Sequence, residues 1–387
     1  MAALSAISAF AQSSVQITGY FDRGYTTLNS TKAADSTKTL GSSAGTTRIE
    51  FRGTEDLGSG NTAGFFVETD WADLGGSTQT ASVTTGQKAG FANSENYLSL
   101  GNANVGTLKL GAPNSFTLGN AIGVASPAFS TGVGSAYNTK FSIANGVSTG
   151  ADAYAGIATD GAPTANNAAA VGARAIRIAN TVQYVSPTFY GVTAGINLTP
   201  QNNNVTAAPG NGNTVGVKEY SLAYSQGPLN AQYTSIRYTV GDNGTSQYTL
   251  TLVNAGATYA PTSKPLTGGL TSKQDLLGAN YQVLPSLKLH AGLGKFSSSN
   301  DAVKGKSTQY GVTYTYGAYD VLAQVAKVDD QGTYDIDRKT TGLGVNYNLS
   351  KTTRLYFRGD NIQYSTNQAS FAGSQVKRTA FGLSKAF

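Results

Sequence analysis

Hydrophobic and polar residues alternate one by one along much of this 387-residue chain. In the stretch 376–387, Phe381, Leu383 and Phe387 share one parity, and small or polar residues mostly take the other. Because successive side chains of a β-strand point to opposite faces, a period of two predicts strands with one apolar face. Similar runs recur between clusters of Gly, Asn, Asp and Ser, and they predict an all-β protein.

The alternating runs predict sixteen strands, near residues 15–22, 46–53, 63–71, 92–101, 105–111, 174–186, 191–199, 217–226, 229–240, 273–283, 286–296, 306–317, 319–328, 338–348, 353–364 and 376–387. The segment 248–260 also alternates. We interpret it as a hairpin inside a long loop, and a further pair of wall strands is the alternative.

The connections between the predicted strands alternate in length. Short turns such as 226–228 and 317–318 are followed by long polar segments such as 241–272, and residues 29–44 form another such segment. Tight turns at one rim and long loops at the other are typical of outer-membrane barrels. A soluble β-sandwich would not separate them so regularly.

Charged residues lie on the face opposite the apolar one. In 46–53, Arg48, Glu50 and Arg52 share one parity. Three charges on one face are costly in a dry core and cost little in a water-filled bore. The sequence therefore predicts a transmembrane antiparallel β-barrel with a polar interior, closed by the terminal strand that ends at Phe387.

Composition agrees with a barrel of this kind. The chain contains 47 Gly and 22 Tyr, and only 12% of its residues are charged. Its mean hydropathy is nevertheless −0.20, because Ser, Thr, Asn and Gln supply the polarity. No stretch approaches the roughly 20 apolar residues that a membrane-spanning helix needs. Any crossing of a membrane is therefore expected to use strands.

The start of the chain and its net charge bear on localisation and partners. Residues 1–11 end in the small-x-small pattern that signal peptidase cleaves, so we expect a remnant of a secretory signal followed by a single barrel domain, 12–387. The absence of Cys is compatible with passage through an oxidising periplasm. The net charge of +6 comes from scattered basic residues, which does not predict binding of nucleic acid.

Several motifs resemble the general porins of β-proteobacteria. The run 47–58 (TRIEFRGTEDLG) is similar to that family's R-x-x-x-R-G-x-E-D-L-G signature. Residues 178–187, 224–230 (YSQGPLN), 347–352 (YNLSKT) and the aromatic terminal strand also resemble the family, in the family's order. The resemblance implies a sixteen-stranded barrel that assembles as a homotrimer. It also implies a long third loop folded into the pore, a position that 112–173 occupies.

The resemblance and the parity of the strands together suggest pore-lining residues. Arg48 occupies the position of the family's first constriction arginine, and Arg177 and Lys109 point inward by alternation. The loop contributes the acids Asp152 and Asp160. Where relatives often carry paired basic residues, this chain has Ser94-Glu95-Asn96-Tyr97, so only a mild preference for anions is expected.

A second group of charged residues lies beside a predicted short turn. Arg52, Glu55 and Asp56 are expected to form a structural network at the periplasmic rim rather than to line the pore. Arg354, Arg358 and Asp360 also point inward by alternation, and we interpret them as solvating the far wall.

The residues favour a channel over an enzyme. The single histidine, His290, has the parity of an interior position, and the sequence contains neither a G-x-S-x-G elbow nor an H-E-x-x-H pair. We predict no catalysis, no metal and no cofactor. The predicted function is passive diffusion of ions and small hydrophilic solutes; a substrate-specific channel and an adhesin or receptor barrel are the alternatives. Expected partners are a homotrimer and the lipid and lipopolysaccharide of a bacterial outer membrane.

Overall fold

The protein forms one antiparallel sheet that closes on itself. The computed structural model describes residues 14–31, 37–71, 91–135, 181–199, 215–240, 271–298, 304–332, 336–366 and 375–387. These residues contain 17 strands in a single sheet. The predicted signal remnant at residues 1–11 and the predicted hairpin at 248–260 lie outside the described part of the chain.

The strands follow one another around the sheet in chain order. The first nine are Ser14–Ser30 (β1), Thr37–Gly41 (β2), Thr47–Gly58 (β3), Asn61–Trp71 (β4), Asn96–Asn102 (β5), Gly106–Ala112 (β6), Thr181–Val185 (β7), Val192–Thr199 (β8) and Val215–Gln226 (β9). The remaining eight are Leu229–Val240 (β10), Thr271–Leu284 (β11), Leu287–Ser298 (β12), Lys304–Tyr316 (β13), Tyr319–Asp330 (β14), Ile336–Asn348 (β15), Thr353–Thr366 (β16) and Gln375–Ala386 (β17).

The sheet closes where the two ends of the described chain meet. β1 and β17 pair antiparallel from Tyr20 opposite Ala386 to Ser30 opposite Val376. Beyond the last strand residue, the Phe387 N–H donates to the Gly19 carbonyl at 3.2 Å, and the Gly19 N–H donates to the Phe387 carbonyl at 3.1 Å. The structure thus places Phe387 at the seam of the barrel.

The wall has sixteen positions, because β2 and β3 share one of them. Both pair with β1: β3 lies against 14–20 and β2 against 24–28. The predicted sixteen-stranded barrel is therefore confirmed. The assignment of 29–44 to a loop was wrong in part, since Thr37–Gly41 is a strand. Its five residues are too few for an alternating pattern to be recognised in the sequence. The segment forms a strand because it pairs with β1.

Short turns join the strands at one rim. Gly227 between β9 and β10, and Gly317 between β13 and β14, have φ of +61° and +58°. Two-residue hairpin turns need this left-handed backbone, which glycine adopts without steric cost. At the other rim the chain between consecutive strands is longer, as between Val240 and Thr271.

The two faces of the sheet differ in polarity as the alternation predicted. The outer face carries exposed apolar side chains such as Leu289, Leu293 and Leu343. The inner face carries polar side chains such as Gln309 and Gln324, yet these are buried. A second part of the chain must therefore cover the interior of the barrel.

The covering part begins directly after β6. It contains a single α-helical turn, Phe116–Gly119 (α1), followed at once by a π-helical turn, Asn120–Val124. No helix in the described ranges is long and apolar enough to cross a membrane.

Candidate functional site

Residues 113–135 lie against the inner face of the barrel wall. Their hydrogen bonds begin at Asn114, which bonds to Glu95 before β5 and to Gln183 on β7, and end at the connection between β2 and β3. We call these residues the inner segment.

A buried carboxylate holds the start of the inner segment. Glu219 on β9 accepts hydrogen bonds from the Phe116 N–H at 3.1 Å and from the Thr117 N–H at 2.6 Å. The Thr117 hydroxyl and the Asn197 side-chain amide donate to the same carboxylate at 2.7 and 3.0 Å. Four donors satisfy a charge that would otherwise be costly to bury. Glu219 therefore anchors α1 to the wall.

The middle of the inner segment is held by one amide side chain and by the carbonyl groups of Val124 and Ala125. The Asn120 side-chain amide donates to the Gln232 carbonyl at 2.9 Å and to the Leu276 carbonyl at 3.0 Å. The Ala125 carbonyl accepts from Gln309 Nε2 at 2.6 Å and contacts His290 Nδ1 at 3.0 Å. Because a carbonyl can only accept, this contact places the His290 proton on Nδ1. The histidine is buried at an interior position.

The end of the inner segment is bound to the other side of the barrel. The Ser126 hydroxyl donates to Gln324 at 2.6 Å, and the Gly134 N–H donates to the Asp360 carboxylate at 2.8 Å. The Val133 N–H donates to the Ser43 carbonyl at 2.8 Å. The hydrogen bonds of the inner segment thus follow the inner face of the wall, strand by strand, as far as the β2–β3 connection.

Two glycines of the wall allow the inner segment to approach closely, one through a side chain and one through its backbone. A Cβ atom at Gly278 would lie 2.1 Å from Asn120 Oδ1, and one at Gly342 would lie 2.3 Å from the Gly134 carbonyl oxygen. Both distances are far below contact, so a larger residue at either position would displace the segment.

Arginines on β16 and β17 bind the carbonyl groups that surround them. Arg358 is buried and donates to the Ala44 carbonyl at 3.1 Å and to the Thr131 carbonyl at 3.5 Å. Arg378 forms an ion pair with Asp360, with Nε 3.0 Å from Oδ1. Sequence reasoning placed Arg358 and Asp360 inward but overlooked Arg378, although alternation along β17 gives it the same face.

The β2–β3 connection is organised by one carboxylate. Asp22 Oδ2 accepts from the N–H groups of Ser43, Ala44 and Gly45 at 2.7, 2.6 and 2.9 Å. Its other oxygen accepts from the Tyr356 hydroxyl at 2.6 Å. This set of donors holds the connection in the place where the inner segment docks.

The wall formed by β3 and β4 carries an ion-paired arginine. Arg48 Nε lies 2.5 Å from Glu50 Oε1 and 3.4 Å from Glu68 Oε2, and the side chain is 35% exposed. Its guanidinium also lies 5.6 Å from the centre of the Tyr20 ring. The predicted pore arginine therefore lies inward, with its carboxylate partners on the wall itself.

Beside Arg48, two cations stack on two interior aromatic rings. Arg52 lies 5.1 Å from the centre of the Phe66 ring, and Lys109 Nζ lies 4.5 Å from the centre of the Tyr97 ring. The Phe66 and Tyr97 rings stack on each other at 5.6 Å. We call these four residues the cation–aromatic row. Tyr97 belongs to the run 94–97 that departs from the family pattern, so the departure supplies a platform for Lys109.

The remaining predicted site residues are placed as follows. Arg177, Asp152 and Asp160 lie outside the described residues. Arg52 contacts Phe66. Because Arg52 and Glu55 have opposite parity along β3, they lie on opposite faces of the sheet and do not pair with each other. Asp56 accepts from the Gly58 N–H at 2.8 Å within the turn. No group of three or more His, Cys, Asp or Glu residues suited to a metal occurs in the described ranges.

The Glu219 anchor gives a first prediction. Glu219→Ala would leave two buried N–H groups without an acceptor, each costing about 1–3 kcal/mol. We expect hydrogen exchange of the Phe116 and Thr117 amides to become at least about tenfold faster. Glu219→Gln keeps one acceptor oxygen and should show a smaller effect. Unchanged exchange in the alanine variant would contradict the anchor.

Comparison with known proteins gives the family. The sequence matches the Gram-negative porin family over residues 1–367. It is 29% identical over 388 residues to outer membrane porin protein 32 of Delftia acidovorans, covering 96% of this chain and 89% of the relative.

Solved structures share the fold. An anion-selective porin from Comamonas acidovorans superposes with a TM-score of 0.70 at 24% identity, covering 97% of this chain and 100% of the other. The trimer form of OmpT from Vibrio cholerae superposes with a TM-score of 0.61 at 12% identity, covering 97% and 99%. The chain therefore belongs to the Gram-negative porin family, and it is a protein of the outer membrane.

Proposed function

We propose that this protein is a general diffusion porin that passes ions and small hydrophilic solutes and mildly prefers anions. The observation that carries the proposal is the asymmetry of the barrel interior. The inner segment packs against β7–β16, whereas the wall of β1 and β3–β6 presents partly exposed charged groups. Solutes would pass between these two surfaces, and no chemical step is needed.

We call the wall of β1 and β3–β6 the open wall. Its charges support a weak preference for anions. Arg48 is matched by Glu50 and Glu68, whereas Arg52 and Lys109 lie over aromatic rings. A unit charge about 6 Å from an ion in water contributes roughly 0.7 kcal/mol, or about threefold in local concentration. Salt reduces this further. In the proposal, Arg177, Asp152 and Asp160 complete the charged lining of the pore. Their assignment follows from strand parity and from the resemblance to the porin family.

The Arg48 ion pair predicts that two substitutions change the anion-to-cation permeability ratio in opposite directions. Arg48→Ala removes a cation and also exposes the charge of Glu50, so the anion-to-cation permeability ratio should fall about two- to threefold at low salt. Glu50→Gln, on the same strand and face, should raise the ratio. The measurement is the reversal potential of single channels under a salt gradient.

Each variant serves as the experimental control for the other, because both break the same ion pair. A general loosening of the wall would shift the two ratios in one direction. Equal reversal potentials for wild type and both variants would contradict a role of this ion pair in selectivity.

We also propose that the inner segment narrows the pore. A Cβ at Gly123 in the π-helical turn would have no heavy atom within 4 Å, and the residue is exposed. Its free side therefore faces the space between the segment and the open wall.

The chain has no Cys, which permits a direct test of this narrowing. A charged thiol reagent should reduce single-channel conductance of Gly123→Cys by about a quarter or more. Lys351→Cys, exposed in the turn between β15 and β16, should react without a change in conductance. Equal conductance before and after modification at Gly123 would contradict the narrowing.

We propose a homotrimer as the functional assembly. The trimer form is stated for the OmpT structure, and the outer face of this barrel supports it independently. Outward residues near the middle of β3–β8, such as Leu98, Leu100 and Leu110, are exposed and apolar, and none of the described outward side chains there is charged. Such a face can bury against another protomer.

Two leucines at similar positions in different sectors test the assembly. Leu98 on β5 is 65% exposed and Leu343 on β15 is 61% exposed. Lysine at either site costs about 2–4 kcal/mol if the site faces lipid. We expect Leu98→Lys, but not Leu343→Lys, to convert trimers to monomers on native electrophoresis. The same result for both variants would contradict an interface at β3–β8.

A further inference from the structure

Two cations of the cation–aromatic row are held by rings instead of carboxylates. Arg52 lies over the Phe66 ring and Lys109 over the Tyr97 ring, and no described residue accepts a hydrogen bond from either cation. The face of an aromatic ring attracts a cation without using its N–H donors. The row therefore presents two charges whose hydrogen-bond donors are unused within the described part of the chain.

The register of the sheet brings the two cations toward each other. Arg52 on β3 is opposite Phe66 on β4, and Phe66 is opposite Tyr97 on β5. Lys109 reaches the Tyr97 ring from β6, on the other side. The cations thus converge from the two outer strands of the row onto two rings whose centres are 5.6 Å apart. One small ligand that contacts both cations requires such a convergence.

The carboxylates next to the row bond to other groups. Glu95 precedes Tyr97 by two positions, and it accepts from the Asn114 N–H at 2.9 Å and from the Asn114 side-chain amide at 2.6 Å. Glu50 precedes Arg52 by two positions, and it pairs with Arg48 at 2.5 Å. Because neither carboxylate bonds to a cation of the row, the row can take an anion from the pore.

The row faces the pore with its cations and is buried behind its rings. Arg52 is exposed, and Lys109 and Tyr97 are half-buried, whereas Phe66 is only 5% exposed. One face of the Arg52 guanidinium lies on the Phe66 ring, so the other face is available to a solute. A guanidinium is planar and weakly hydrated, and it stacks on aromatic rings. A flat ring is therefore a suitable partner for this free face.

The inner segment, on the other side of the pore, is uncharged. Residues 113–135 contain no Asp, Glu, Lys, Arg or His. Gly119 and Gly123 are exposed, and a Cβ at either would have no heavy atom within 4 Å; Ile122 beside them is half-buried. This surface offers space and apolar contact without a counter-charge. An anion with an apolar body loses less on leaving water here than a compact, strongly hydrated anion does.

We propose that the cation–aromatic row binds aromatic carboxylates within the pore. The carboxylate accepts hydrogen bonds from the Lys109 ammonium, and the ring of the ligand stacks on the free face of the Arg52 guanidinium. The negative face of the ligand ring favours this contact with a cation. This inference rests on the proposed function, because it places the row beside the diffusion path, and it adds a class of solute that the pore retains.

Block of the single-channel current tests the site. Benzoate and cyclohexanecarboxylate have the same charge and nearly the same size, and only benzoate has an aromatic ring. In the wild type, the concentration of benzoate that gives half of the maximal reduction in current should be about three- to fivefold lower than that of cyclohexanecarboxylate. Equal concentrations for the two compounds would overturn the proposal.

Conservative variants separate charge from shape. Arg52→Lys keeps the charge and removes the planar group, so benzoate should lose its advantage over cyclohexanecarboxylate while the reversal potential in a salt gradient changes little. Lys109→Met removes the donor to the carboxylate and should weaken the block by both compounds about tenfold. The matched control is Lys351→Met in the turn between β15 and β16, and it should stay within about twofold of wild type. An advantage of benzoate that survives Arg52→Lys would contradict stacking on the guanidinium.

Fluorine NMR measures binding without conduction. The signal of 4-fluorobenzoate should broaden with the detergent-solubilised wild type and much less with Lys109→Met. Equal broadening with both proteins would show partition into detergent or binding elsewhere, and it would overturn the proposal. Reversal of the broadening by an equal concentration of sulfate would show a general anion site and would also overturn it.

The two readouts separate failure of this site from failure of the diffusion function. A wild type that conducts ions without preferring benzoate would refute the aromatic site and leave the diffusion function in place. A wild type that conducts no ions, yet broadens the 4-fluorobenzoate signal through Lys109, would refute the diffusion function and leave the site in place.

Discussion

Backbone groups that face the hydrocarbon of a membrane must find hydrogen-bond partners within the protein, because lipid tails offer none. The pairing of β1 with β17 meets this requirement by removing the last free edge of the sheet. Everything else in the structure depends on that closure. It creates an inside and an outside, so that alternation along each strand becomes a division between a lipid face and a polar interior. It also explains why the chain can carry Phe387 at the seam, paired with Gly19.

Closure alone would leave a wide bore lined by polar side chains. The inner segment changes this by satisfying polar groups on one half of the wall, from Glu219 on β9 to Asp360 on β16. The other half keeps the ion pair of Arg48 and the cation–aromatic row. The interior is thus divided into a packed side and an open side. This division, rather than any single charge, is what the proposed diffusion path uses.

Alternation along the chain was enough to predict the strands and their faces, because it is a local property and each predicted strand carried its own pattern. It placed Arg48, Lys109, His290 and Arg358 inward for that reason. The contacts of those side chains became visible only in the folded barrel. Arg48 meets Glu68 across a strand pair, Arg358 meets the Thr131 carbonyl more than two hundred residues away, and β2 exists because β1 pairs with it. Such partners depend on register and on the path of the inner segment, which no local pattern encodes.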